Sequence, residues 1–122
     1  MTKQITKTAD NLDDGIKNMI DAMIEDYDVF NTTVLGNNTK MFDEYKNGFE
    51  IINNRKYIKV IQNHSVEAFI VKEDFKDFKK GDVLKPASWT APALNKPRGN
   101  VLTGNYPIQW TGPLYLVGEY KT

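Results

Sequence analysis

All five prolines of this 122-residue chain fall between positions 86 and 113, and the residues before them contain none. Proline fixes φ and donates no backbone hydrogen bond, so it ends helices and is kept to the margins of sheets. Regular helices and paired strands therefore belong to the first two thirds of the chain. The last third must be built from turns, loops and short strands. Charge follows the same division: residues 1–82 carry fifteen of the sixteen carboxylates and residues 83–118 carry none. Both tryptophans, Trp89 and Trp110, lie in that acid-free stretch.

Residues 1–8 are polar and read as a loose N-terminus. From 9 to 30 the pattern is helical, with Leu12, Ile16, Met19, Ile20, Met23, Ile24 and Tyr27 forming one apolar stripe at a 3.6-residue period. Thr8 or Asp10 can accept hydrogen bonds from the first free N–H groups, and Asp13 and Asp14 sit near the positive end of the helix dipole.

The opposite face gathers Asp10, Asp14, Asp21, Glu25 and Asp28, with Lys17 the one base between residues 9 and 30. Asp10/Asp14 and Asp21/Glu25 are like-charge pairs at i,i+4, each unfavourable by roughly 0.2–0.5 kcal/mol on an exposed helix. Glu25, Asp26 and Asp28 crowd the C-terminal end, where the dipole prefers cations. Local stability does not select this arrangement. One reading is a solvated face that keeps the chain soluble; the other is an acidic surface aimed at a basic groove on another macromolecule.

After a short extended piece and a turn at Gly36-Asn37-Asn38, residues 41–47 read as two helical turns begun by Thr39 and stopped by Gly48. Residues 49–85 read as antiparallel strands. Phe49–Ile52 and Lys56–Ile61 flank Asn53-Asn54, and Val66–Val71 follows a break at Asn63-His64-Ser65. Phe75 and Phe78 suit a short helical turn tucked against the sheet. Residues 86–118 offer loops and short strands at 100–102, 108–110 and 114–117, with a tight turn at Thr103-Gly104-Asn105. The expectation is a single α+β domain: an N-terminal amphipathic helix packed on a small antiparallel sheet or partly open barrel, with a Pro/Gly-rich C-terminal segment.

Composition narrows the chemistry. The formal net charge is zero, which argues against general nucleic-acid affinity. Cysteine is absent, so disulfides and thiolate chemistry are excluded. No apolar run approaches the ~20 residues of a membrane span, and Met1-Thr2-Lys3-Gln4 lacks the core of a secretory signal, so an intracellular protein is expected. His64, the single histidine, sits in a turn without an orienting partner, which makes no nucleophile–base pair. No metal-ligand spacing or phosphate-binding glycine loop occurs. The expectation is a non-enzyme without cofactor or metal.

In the C-terminal stretch, Trp89, Lys96, Arg98 and Trp110 combine aromatic faces with cations, a pairing that suits a nucleotide or single-stranded nucleic acid. Pro97-Arg98-Gly99-Asn100 would hold the guanidinium on an exposed bend. The same aromatics, with Tyr106 and Tyr115, serve equally as core and loop anchors, most of them buried.

Gly81-Asp82-Val83-Leu84, Ala87-Ser88-Trp89, Pro97-Arg98-Gly99-Asn100 and the run from Trp110 to Leu116 resemble the ending of small, poorly characterised bacteriophage proteins. The resemblance covers about the last forty residues and brings no activity with it. It implies a setting, the cytoplasm of an infected bacterium or a virion. Three functions compete there. The first is an accessory protein that binds and inhibits or redirects a host protein, such as defence or transcription machinery, through the acidic helix face. The second is a virion component or self-assembling homo-oligomer. The third is a nucleotide or single-strand binder using the aromatic, basic tail.

Overall fold

A computed structural model describes residues 2–115. Helix α1 spans Leu12–Thr33 and buries the face that the apolar period marks out, with Ile16, Met19, Met23 and Tyr27 inside. Its N-cap is Asn11, rather than Thr8 or Asp10, and the Asn11 side chain accepts from the Asp14 N–H at 2.8 Å. The helix outruns the expected end at 30. Thr32 and Thr33 fold their hydroxyls back onto the carbonyls of Asp28 and Val29 at 2.9 and 2.7 Å, so neither side chain draws the backbone out of the helix. Buried Asn31 then gathers the link to the next helix: its carbonyl accepts from Asn37 N–H at 2.8 Å and its side chain from Asn38 N–H at 3.0 Å. Helix α2, Thr39–Asn47, is capped by the Asn38 side chain and ends at Gly48.

Strands β2 (Phe49–Asn53), β3 (Tyr57–Gln62), β4 (Ser65–Val71) and β5 (Val83–Leu84) form an antiparallel sheet in that order. The β3–β4 turn uses Asn63 and His64 at φ 47° and 67°, the left-handed pair that matches the twist of a two-residue hairpin. One face of this sheet, with Ile58, Val60, Ala68, Ile70 and Val83, packs into the main core with α1. The other face, with Phe69 and Leu84, meets Phe75 and Phe78 in a smaller cluster. Those two phenylalanines do not form a helical turn. Lys76 takes φ 50°, and Phe75 and Phe78 exchange backbone hydrogen bonds of 3.1 and 2.8 Å in a tight β-type turn.

A second antiparallel sheet has the order β1 (Lys3–Ile5), β6 (Tyr106–Gln109), β7 (Gly112–Pro113). The N-terminal segment is therefore ordered and not loose: it pairs with a strand a hundred residues away, from Lys3↔Ile108 to Ile5↔Tyr106, and buries Ile5. Residues 100–102 are not a strand. Asn100 Oδ1 accepts from the N–H groups of Leu102 and Thr103 at 2.8 and 3.2 Å, and this side-chain turn replaces ladder pairing. The strand expected at 108–110 lies two residues earlier, and of the one expected at 114–117, Leu116 and Val117 lie outside the described residues. The whole is α+β as expected, with α1 packed on antiparallel strands that divide into two sheets and form no closed barrel among the described residues. No helix among the described residues is long and apolar enough to cross a membrane.

Candidate functional site

The outer face of α1 is the first candidate. Asp14, Glu25 and Asp28 are exposed and Asp21 is half-buried on one side of the helix, while Asp10, expected in the same stripe, is exposed but lies before the extended N-cap Asn11 and outside the helix. Their mutual repulsion is smaller than the sequence suggests. Lys17 pairs with Asp21 at 2.9 Å, Asn11 donates its side-chain amide to Asp14 at 3.0 Å, and Lys3 on β1 lies 3.7 Å from Glu25. The lysines of the ordered N-terminal segment were missed as neighbours because the pairing that brings them there is nonlocal. Asp10, Asp13 and Asp28 enter no ion pair among the described residues. A cleft of about 700 Å³ runs between residues 6–10 and the side chains of Asp14, Lys17 and Asn18.

Behind this face, α1 is held by a polar and aromatic clamp. Asp26, only 1% exposed, accepts the Trp110 N–H at 2.8 Å, while the Tyr45 hydroxyl donates to the Trp110 carbonyl at 2.7 Å. Both backbone polar groups of one residue at the β6–β7 turn are thus tied, one to α1 and one to α2. The rings close around them: Tyr27 and Tyr45 stack at 4.1 Å, and Trp110 meets Tyr27 edge-on at 5.2 Å and Phe30 at 4.8 Å. In the sequence Asp26 stands outside the acidic stripe and counts only as one of three acids crowding the C-terminal end of the helix. Its position seven after Met19 and three after Met23 places it on the inner stripe, which is the signal that identifies it.

Glu67 completes the clamp. It is the extra residue of a β-bulge, where the β3–β4 register shifts between Val60 and Ile61, and bulges re-aim side chains. Glu67 packs against Gly112, where a Cβ would stand 3.0 Å from its Oε2. Burial pushes the Glu67 carboxyl up to about 7, against the opposing pull of Lys85. Lys85 itself donates to the Pro113 carbonyl at 2.6 Å. The Tyr45 phenol is raised far above its ordinary value by burial first, then by Glu67, Asp26 and Tyr27, so it stays a donor across the physiological range. Chemically, the clamp offers a carboxyl that exchanges its proton near neutrality beside a phenol that keeps its own.

This gives a pH dependence with a definite sign. Glu67 holds its proton more tightly when folded than when unfolded, so its contribution to stability is fully present below about pH 4.5 and lost as pH rises through about 7. With partial solvent access allowed for, the loss is about 1–2 kcal/mol. Glu67→Gln is expected to match the parent at pH 4 and to melt roughly 5 °C higher at pH 8, read by circular dichroism. An equal offset at both pH values would remove Glu67 as the titrating group.

The C-terminal ligand set is not assembled. Arg98, expected on an exposed bend, is 7% exposed, and its backbone N–H continues the sheet by donating to Val83 at 2.8 Å. The bend is drawn inward because the 98–100 segment covers the edge of β5. Trp110 belongs to the clamp. Trp89, 51% exposed, lies over the Lys59 ammonium at 4.6 Å on the opposite face of the four-stranded sheet, and Lys96 is exposed. Trp89 and Trp110 therefore do not converge. Of the tail aromatics, Tyr106 is buried and Trp110 half-buried, whereas Trp89 and Tyr115 are exposed, so the expectation of general burial holds for only half of them.

No group of three or more His, Cys, Asp or Glu side chains among the described residues is placed to hold a metal ion. No curated protein and no solved structure matches the chain. A family profile does match, over residues 2–116, and so takes in both sheets, both helices and the clamp. The chain belongs to this family of unknown function, DUF7717.

Proposed function

We propose that the protein is a non-enzymatic binding module that docks a macromolecule carrying a basic groove, using the outer face of α1. The observation that supports this is the combination of a rigid mount and an accessible stripe. Asp14, Asp21, Glu25 and Asp28 reach solvent along one side of a helix, with exposed Asp10 just before its N-cap, and the other side of that helix is fixed by Met19, Met23 and the Asp26–Trp110 bond. Charges held at fixed spacing steer encounter and select a partner of matching pattern. The bacteriophage resemblance supplies the setting, a host protein in an infected bacterium whose action is inhibited or redirected.

Asp10, Glu25 and Asp28 are the informative positions. Among the described residues Asp10 and Asp28 enter no ion pair and Glu25 only a long, exposed one, so their reversal to Lys disturbs little of the fold. The triple variant is expected to melt within about 2 °C of the parent, yet to lose its partner from bacterial lysate in affinity capture, with affinity down at least roughly ten-fold and the salt dependence flattened. Undiminished capture by a folded triple variant would remove α1 as the docking surface.

A further inference from the structure

Strand β2 is an edge of the four-stranded sheet, with no second neighbour among the described residues. At the other edge, β5 is covered: Val83 N–H donates to Gly99 at 2.9 Å and Arg98 N–H donates to Val83 at 2.8 Å. Among the described residues β2 pairs only with β3, in an unbroken register from Phe49↔Gln62 to Asn53↔Ile58. Asn63 N–H donates to Gly48 and Asn54 N–H to the Tyr57 carbonyl, so the even-numbered residues of β2 turn their backbone groups toward β3. The N–H and C=O groups of Phe49, Ile51 and Asn53 therefore point away from the sheet.

Proteins ordinarily blunt such an edge with lysine, proline, a bulge or extreme shortness. Within its five residues β2 has none of the first three, and it displays Ile51 at 54% and Ile52 at 37% exposure on its two faces. The bulge of this sheet sits instead in the β3–β4 pairing, away from the edge.

We infer that β2 pairs antiparallel with β2 of a second copy of this chain, making one continuous sheet across the two. Charge selects this occupant. Glu50 lies near the start of the strand and the turn after its other end carries Arg55, so two copies running in opposite directions bring unlike ends together. The backbone parity allows a register with the two-fold axis at Ile52. Ile51 and Asn53 of opposite copies then exchange main-chain hydrogen bonds, Ile52 meets Ile52, and Glu50 lies opposite Asn54, next to Arg55 at the β2–β3 turn. An isologous contact of this kind closes on itself and makes a dimer. It is independent of the α1 docking face, so either reading stands if the other fails.

A single strand pair is a small interface, so the dimer is expected to be weak, with half-association on the order of 10–100 μM. Sedimentation velocity of the full chain from about 5 to 500 μM should show the mass rising from monomer to dimer, while amide exchange at Phe49, Ile51 and Asn53 slows in step. Ile52→Lys places two ammonium groups face to face at the axis and is expected to weaken the dimer at least roughly ten-fold with unchanged melting. Glu50→Lys is expected to weaken it, and Arg55→Glu in the same chain to restore it. A monomer throughout that range overturns the inference. So does a dimer that persists undiminished in Ile52→Lys, because the contact would then lie elsewhere. Slow exchange at the three amides without a change in mass overturns it too, because the edge would then be covered by the chain itself.

Discussion

Asp26→Ala is expected to destabilise the fold by about 3 kcal/mol, a drop of roughly 10 °C in melting temperature for a chain of this size. Two terms add. The bond from Trp110 N–H to the carboxylate, 2.8 Å long and 1% exposed on the Asp26 side, is charge-assisted, and such bonds contribute about 1.5–3 kcal/mol. Its loss also strands the Trp110 N–H in a partly buried setting, for about 1 kcal/mol more. Asp26→Asn, which keeps an acceptor oxygen of the same shape, is expected to lose less than half as much. Tryptophan fluorescence and near-ultraviolet circular dichroism should report loosening at Trp110 in the alanine variant and little change in the asparagine one. Equal losses in the two would assign the effect to the carboxylate charge. A melting temperature within 1 °C of the parent in Asp26→Ala would mean that packing of Tyr27, Phe30 and Tyr45 holds the β6–β7 turn unaided.

The clamp also shows which features the sequence makes legible. Helix α1 was readable because its apolar period repeats through Ile16, Met19, Met23 and Tyr27, and the β2–β3–β4 meander because each strand is followed by its own partner. Local periodicity carries both. Asp26 was harder: its neighbours Glu25 and Asp28 are exposed acids, and composition grouped it with them although its angular position did not. Pairing between distant segments left no local trace. Nothing in Lys3-Gln4-Ile5 announces β6 as its partner, and that pairing is what sets Lys3 beside Glu25 and tempers the acidic stripe. Arg98 misled for a related reason. A Pro-Arg-Gly bend reads as exposed until the sheet edge it covers is known. The asymmetry between the acidic two thirds and the proline-rich remainder thus marks two structural duties. The first part makes the helices and the longer strands, and the second covers their edges and supplies the turn that α1 and α2 grip.

The opposite end of α1 is fixed by absence of bulk, and Gly15→Ala tests that directly. Two effects compete. Alanine is the better helix former by about 1 kcal/mol, so an isolated helix would gain. In the folded chain, however, a Cβ on Gly15 would stand 2.5 Å from the Val101 carbonyl oxygen and 2.9 Å from its carbonyl carbon. The obstacle is backbone, and that backbone is bolted down. Val101 N–H donates to Gly81 at 2.9 Å, and the Asn100 side chain donates to Asp82 at 3.0 Å and to the Lys80 carbonyl at 2.9 Å. The loop cannot retreat without breaking these bonds, so overpacking outweighs propensity. Gly15→Ala is expected to cost a net of about 2 kcal/mol and Gly15→Val about 4, read as melting shifts of roughly 8 and 15 °C. Gly36→Ala separates space from conformation: nothing lies within 4 Å of its Cβ position, but its φ is 71°, so only about 1 kcal/mol of backbone strain is expected. A Gly15→Ala variant that melts higher than the parent would mean that helix propensity wins and that the start of α1 can lift from the 100–102 turn. Asp10 and Asp14 would then lose the fixed spacing on which a charge-selective docking face depends.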